Sequence, residues 1–409
     1  MSKGSVASHD ATSGIDLSRD PPDFSLVLGG PLYQLMRRAR LTDDALRLQR
    51  RRIIVIALLA WLPLLLLAAL GENLVGGDAA VPFLLDVDVH VKFLVVIPLL
   101  VAAELVVHQR MRAVARTFLD RRLIPDEEAA RLDAAVASAY RLRNSVLAEV
   151  LLIAFVYVVG IAVIWRHYGS IEAVTWYATP VAGGGSSLTL AGAWYTYVSL
   201  PLSQFLLLRW YFRVFIWGRL LWQVSRIELD LVPTHPDRVG GLGFLANTVY
   251  AFIPLLLAHG ALLAGQLANQ IFHLGASLVQ FRLEILLLVV FMVVMVVGPL
   301  LVFAPQLSRA KRAGLREYGT LAQRYVREFD AKWLRGDGSS DEQLLGSGDL
   351  QSLADLGNSF AVIQDMRVVP VTKLAMFQLG VVTAAPVVPL VLTLMPLDEL
   401  LKKLLGILF

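Results

Sequence analysis

Two arginines one helical turn apart, Arg209 and Arg213, interrupt a hydrophobic run that extends from Trp194 to Trp217. A guanidinium at membrane depth is expensive, and by default it faces protein or water rather than lipid. Two carboxylates stand in similar settings: Glu104 near the end of the run 91–108, and Glu149 near the start of the run 145–165. If these runs cross a bilayer, the four side chains come from three helices at one approximate depth, and the pattern predicts a buried charge network. Such a network has two uses. It locks helices together by ion pairing, with arginine reaching toward the interface. Alternatively it lines a vestibule that draws in a small ion, an anion where Arg209 and Arg213 dominate. A proton-coupled carrier is compatible with the same residues.

The run 246–271 carries a second set. His259, Gln266, Gln270 and His273 are spaced for one face of a helix. A stripe of this kind either borders a water-filled path or cross-links helices by hydrogen bonds, and His259 and Gln266 are assigned here to the ion path. Gly260, Ala264 and Ala268 on the same segment suit a close helix contact. Haem would need histidines at one depth on facing helices; His108 and His259 do not meet that condition, and no cofactor is implied.

A third cluster lies between two runs, in the loop 233–243. Pro233 and Pro236 favour an extended entry, and Gly240, Gly241 and Gly243 let backbone amides approach a ligand at the start of the next helix. A helix N-terminus favours anions through its free N–H groups and dipole. His235, Asp237, Arg238, Gly240 and Gly241 are therefore read as a ligand or anion-binding loop, against the alternative of a structural elbow. The spacing lacks the Lys-Ser/Thr ending of a phosphate-binding P-loop. Asp86, Asp88 and His90 form a weak metal-ligand candidate set, of which only Asp86 and His90 align if the segment is helical. No metal site is expected from them.

Catalysis finds little support. The chain has no Gly-x-Ser-x-Gly elbow, no His-Glu-x-x-His helix, no nucleotide fingerprint and no cysteine. A lipid-processing enzyme using His235 and Asp237 as acid and base is the remaining enzymatic reading, and a non-enzyme is favoured.

The elements that must position these residues are written in the composition. Of 409 residues, 56% are hydrophobic and only 17% charged, which places the chain among polytopic membrane proteins rather than soluble domains. The expected fold class is all-α: a polytopic transmembrane helical bundle with short cytoplasmic helical extensions. Runs of about 20 apolar residues fall at 53–70, 91–108, 145–165, 194–217, 246–271, 284–304 and 374–394, giving about seven spans. Arg37, Arg38, Arg40, Arg47, Arg50, Arg51 and Arg52 precede the first run, and basic residues fill the connections 109–144, 218–243 and 305–373 while 71–90, 166–193 and 272–283 are poor in them. The positive-inside rule then puts the N-terminus in the cytoplasm, and the first run reads as an uncleaved anchor.

Four regions follow. Residues 1–26 read as a disordered tail. Residues 27–304 hold six spans, with a cytoplasmic helical hairpin at 109–144 and the glycine-rich loop. Residues 305–373 form a cytoplasmic helical segment, and 374–409 hold a seventh span kinked by Pro386 and Pro389, in preference to a re-entrant hairpin, followed by an interfacial amphipathic tail. The net charge of +4 is explained by topology, so nucleic acid is not an expected partner. The expected partners are the lipid bilayer, a small ion or solute, and a second copy of the chain in a homo-oligomer. The expected location is the inner membrane of a bacterium. Passage of a small ion or solute by channel or carrier is the leading function. The alternative is a non-transporting scaffold or sensor that contacts partners or anionic lipid through its basic helices.

Overall fold

The structure, a computed structural model, describes residues 24–38, 48–75, 80–160, 174–180, 186–335 and 347–394. Residues 1–23 of the expected tail 1–26, and the interfacial segment 397–409, lie outside the described residues. Within them the chain is a helical bundle: α1 (Pro31–Arg38), α2 (Gln49–Leu70), α3 (Val87–Asp120), α4 (Asp126–Arg143), α5 (Val146–Gly160), α6 (190–224), α7 (Leu242–Leu274), α8 (Leu278–Leu334), α9 (Gly348–Gln364) and α10 (Lys373–Leu394). A two-stranded antiparallel ladder of β1 (Ala178–Pro180) and β2 (Ser186–Leu188) precedes α6.

Five helices, α2, α3, α7, α8 and α10, are long and apolar enough to cross a membrane, and a sixth crossing is counted if α4 and α5, bent by 46° at their junction, act as one. The helix 190–224 is not among them. Thr196, Ser199, Ser203, Gln204 and the arginines dilute its hydropathy, for a physical reason: most of its side chains meet protein rather than lipid, and Thr196, Ser199, Ser203, Arg209 and Arg213 are all buried. A helix enclosed by others is not selected for apolarity all round. The outer helices show the opposite pattern. Leu58, Leu62 and Leu66 of α2, Leu286, Val290 and Val294 of α8, and Phe377, Val381 and Val391 of α10 are exposed, an apolar exterior that suits an integral membrane protein.

Prolines shape the helices without ending them. A wide π-turn at Lys92–Val96 precedes Pro98 in α3, and another at Tyr195–Ser199 precedes Pro201 in α6. The start of α7 winds as a tight 3-10 segment, Leu242–Phe252, up to Pro254. Each proline removes a backbone donor and pushes on the preceding turn, which rewinds to absorb the strain. In α10 the winding tightens from Ala385 onward, where Pro386 and Pro389 sit, and the segment stays one helix rather than a hairpin.

Packing centres on α3, α6 and α7. α6 lies against α2, α3, α4, α5 and α8, and α7 lies against α3 and α10. Gly260 lets α7 approach α10 so closely that an added Cβ would strike the Thr383 carbonyl and the Pro386 ring. At its far end α8 leaves the bundle and pairs with α9, with Tyr325 donating to the Asp349 carbonyl at 3.1 Å and Lys332 to the Asp349 carboxylate at 2.7 Å. The expected boundary of the tail shifts, because Phe24, Ser25 and Leu26 are buried and Phe24 stacks on Tyr140 at 5.8 Å between ring centroids.

Gly260→Leu should lower the thermal midpoint of the detergent-purified protein by forcing α7 from α10, an overpacking cost of about 1–3 kcal/mol. Gly275→Ala, at a helix end with open space around it but a left-handed φ of 65°, should cost less. Equal midpoints for wild type and Gly260→Leu would show that the close approach is not built into the fold.

Candidate functional site

The structure brings Glu104, Glu149, Arg209 and Arg213 together and adds Arg52. Glu104 is the hub. Its Oε1 accepts from Arg213 Nη2 at 2.8 Å and faces Arg209 Nη1 at 3.4 Å, while its Oε2 accepts from Arg52. Arg209 also reaches Glu149 Oε1 at 3.5 Å. All five residues are at most 8% exposed. The charges therefore come from α2, α3, α5 and α6, and they meet inside the bundle.

Local structure explains each placement. Arg209 and Arg213 are one turn apart, so both project from the same side of α6, and Trp210 between them supports the Arg213 guanidinium at 4.8 Å from its ring centroid. The Trp210 indole N–H donates to the Leu100 carbonyl at 2.9 Å, fixing α6 against α3 one turn before Glu104. Ser145 caps the start of α5, accepting from the Ala148 amide at 3.2 Å, which sets Glu149 in the first turn of that helix. The second oxygen of Glu149 accepts the Leu32 amide at 2.7 Å, at the beginning of α1. Gly30, with a φ of 91°, makes this possible: a Cβ there would fall 3.2 Å from Glu149 Oε1 and 3.0 Å from the Arg143 carbonyl.

Arg52 was assigned in the sequence to the basic flank of the first run. A signal for its burial exists nonetheless. Arg52, Ile56, Ala60, Leu64 and Ala68 repeat every four residues, and the alanines mark the packed side of α2. The contributions of Leu32 and Gly30 carry no side-chain signal at all, because one acts through its amide and the other through a missing Cβ.

Two other candidate sets are not brought together. His259 and Gln266 do not share an environment: His259 is buried while Gln266 is exposed. Two turns take about 7.2 residues, so a spacing of seven keeps the two side chains within about 20° in projection; what differs is the neighbour that covers each position along the helix. His259 instead pairs with Tyr211 of α6, whose hydroxyl donates to Nε2 at 2.6 Å, with Nδ1 donating to the Leu255 carbonyl at 2.8 Å. The weak metal set also separates. Asp86 accepts from Asn269, the Trp176 indole and the Val89 amide, Asp88 pairs with Lys92 at 2.7 Å, and His90 accepts the Trp61 indole at 2.9 Å.

The loop that suggested anion binding carries its own anion. The Asp237 carboxylate accepts the amides of Val239 at 2.9 Å, Gly241 at 3.2 Å and Gly243 at 2.8 Å. His235 Nδ1 lies 2.9 Å from the same carboxylate. Gly240 and Gly241 have φ of 65° and 99° and Arg238 one of 57°, so the loop folds back over Asp237 rather than opening. Arg238 turns outward to Asp365 at 3.2 Å, and Arg367 donates to the Asp237 carbonyl at 3.0 Å, tying the loop to the segment before α10. The amides that would hold an incoming phosphate are satisfied from within, and the elbow reading accounts for the loop's geometry. Burial acts to raise the Asp237 pKa, but the three amides and His235 outweigh it and hold the carboxyl below its usual value.

No protein family, curated protein or solved structure matches the chain.

Two outcomes follow. Glu104→Gln leaves three guanidiniums without their shared carboxylate and should cost about 3–5 kcal/mol of stability, whereas Glu149→Gln keeps an acceptor for Leu32 and should cost less; thermal unfolding in detergent separates them. For Asp237 the lowered pKa means a stabilising contribution that is complete above the ordinary aspartate range near about 3.9 and lost as pH falls through the folded value. Protease nicking of the 233–243 loop should thus rise on acidification below about pH 4 in the wild type, and Asp237→Asn should be nicked at neutral pH already.

Proposed function

We propose that this integral membrane protein passes a small anion through the bilayer, as a channel or carrier, with the Arg52–Glu104–Arg209–Arg213–Glu149 cluster as its gate. The observation that carries this reading is the charge count of the cluster: three guanidiniums face two carboxylates. With both carboxylates ionised, one positive charge is uncompensated within a bundle whose exterior is apolar. Buried ion clusters contribute little net stability compared with apolar packing, so a surplus buried charge argues for use rather than for strength. Arg209 supports the gate more than the others. It stands at 3.4 and 3.5 Å from two different carboxylates, longer than the 2.8 Å contact of Arg213, and an entering anion needs only to replace one of them.

The same reading takes the helix 190–224 as a further crossing, for seven in all, with the N-terminus in the cytoplasm of a bacterium and the chain in its inner membrane. The arginine-rich connections support that orientation. A homo-oligomer fits as well, since the exposed apolar sides of α2 and α10 would serve either lipid or a second copy.

One observation favours the non-transporting scaffold instead. Beyond its apolar half, α8 continues through Arg309, Lys311, Arg312, Arg316, Arg324 and Arg327, with α9 as its main helical neighbour, an arm suited to a partner or to anionic lipid. Anion flux into liposomes decides between them. Wild type should pass chloride, nitrate or phosphate above empty vesicles, and Arg209→Ala should lose most of that flux while Arg209→Lys retains part. Wild-type vesicles as tight as empty ones for all three anions leave the scaffold reading standing.

A further inference from the structure

A cavity of about 710 Å³ runs between α6 and α8, separate from the charge cluster. Phe215 and Trp222 of α6 and Phe291, Met295 and Pro299 of α8 form its walls, and Arg219 is the charged residue among its lining side chains. Two features open it. Gly218 presents no side chain where its neighbour across the gap is the Pro299 ring at 3.6 Å from an added Cβ, and α8 rewinds to a 3-10 turn from Gly298 to Phe303 just there. The rims are exposed: Phe215 is 58%, Trp222 48% and Phe291 52% accessible. The groove is therefore open sideways, along the apolar exterior where hydrocarbon lies.

Its polarity is asymmetric. From Tyr211 to Arg219 the walls on α6 span eight residues, about 12 Å of helix, and they are aromatic or aliphatic. At the α6 C-terminal end the character changes within one turn. Arg219 is held in place by donating to Ser138 Oγ at 2.7 Å, and Arg226, just past the end of α6, lies over the Trp222 ring at 5.2 Å from its centroid. A tryptophan and two guanidiniums at one end of an apolar slot reproduce the layering of a bilayer, in which aromatic rings and cations sit at the headgroup level.

We propose that this groove is a binding site for an anionic glycerophospholipid, with one acyl chain between Phe215 and Phe291, the phosphate against Arg219, and Arg226 adding positive charge beyond Trp222 at the same end. The two arginines supply the charge complement to the phosphate, and the fixed guanidinium of Arg219 offers directed donors to it. The missing side chain at Gly218 leaves room for the chain. Zwitterionic lipid would occupy the slot without the charge preference.

The test uses the full chain purified in detergent and exchanged with phosphatidylglycerol or phosphatidylcholine, with retained lipid counted by native mass spectrometry. Wild type should retain phosphatidylglycerol over phosphatidylcholine by roughly tenfold, the ratio expected for one charged hydrogen bond. Arg219→Ala should bring the two lipids near parity, Arg219→Lys should keep part of the preference, and Gly218→Leu should reduce retention of both by filling the slot. Equal retention of the two lipids by wild type overturns the proposal, as does an Arg219→Ala protein that behaves as wild type. Inorganic phosphate is the third arm: if it displaces phosphatidylglycerol while Gly218→Leu has no effect, the site takes a free anion and the acyl-chain assignment fails. Gel filtration reports folding of each variant, and if Arg219→Ala does not fold, a folded Gly218→Leu protein with undiminished lipid is enough to overturn the proposal.

Discussion

The arrangement depends on one carboxylate receiving three guanidiniums. Glu104 lies on α3, Arg52 on α2, and Arg209 and Arg213 on α6, so removing its charge leaves three cations facing each other in a low-dielectric interior. Coulomb repulsion at such separations is several-fold stronger than in water. The helices that carry these residues are consequently constrained in rotation and in register. Other contacts comply with that constraint: the Trp210 indole bonds to Leu100 one turn from Glu104, and Ser199 donates to the Ala60 carbonyl at 2.7 Å, joining α6 to α2 near the opposite end.

Much of the helical architecture was legible from hydrophobic runs, because a bilayer demands about 20 apolar residues per crossing and imposes that demand on sequence directly. The meeting of Glu104, Glu149, Arg209 and Arg213 was legible for the same reason, since charge in such runs has few tolerable places to go. The helix 190–224 follows a different rule. Enclosed by five neighbours, it is free to carry serines, threonines and arginines, and its hydropathy falls below that of the outer helices. Burial by protein and burial by lipid leave different marks, and only the second is a continuous apolar run.

The glycine-rich loop left two readings open for a different reason. Free helix amides, glycines and a nearby arginine are the ingredients of an anion site, but so are they of a turn whose own aspartate plays the anion. Asp237 sits within six residues of all three amides that it accepts, and short-range satisfaction of this kind needs no ligand. His259 and Gln266 illustrate a related limit, since helical projection identifies a side of the helix but not the neighbour that covers it. Tyr211, which decides the role of His259, is 48 residues away in sequence.

The compensation of Glu149 bears on how firmly Arg209 is held. Glu149 lies in the first turn of α5, and its Oε2 accepts the Leu32 amide at the start of α1, so the positive ends of two helices converge on one carboxylate. Each such end is worth about 0.3–1 kcal/mol when exposed and up to about 2 when partly buried. Together they stabilise the ionised carboxylate without help from a guanidinium. Arg209 is thereby the cluster's least committed charge: Glu104 is already served by Arg52 and Arg213, and Glu149 by two helix termini. The N-terminal segment from Phe24 to α1 is thereby tied to the cluster itself. By supplying an amide to Glu149 it sets how strongly that carboxylate competes for Arg209, the one side chain in the cluster that reaches both carboxylates.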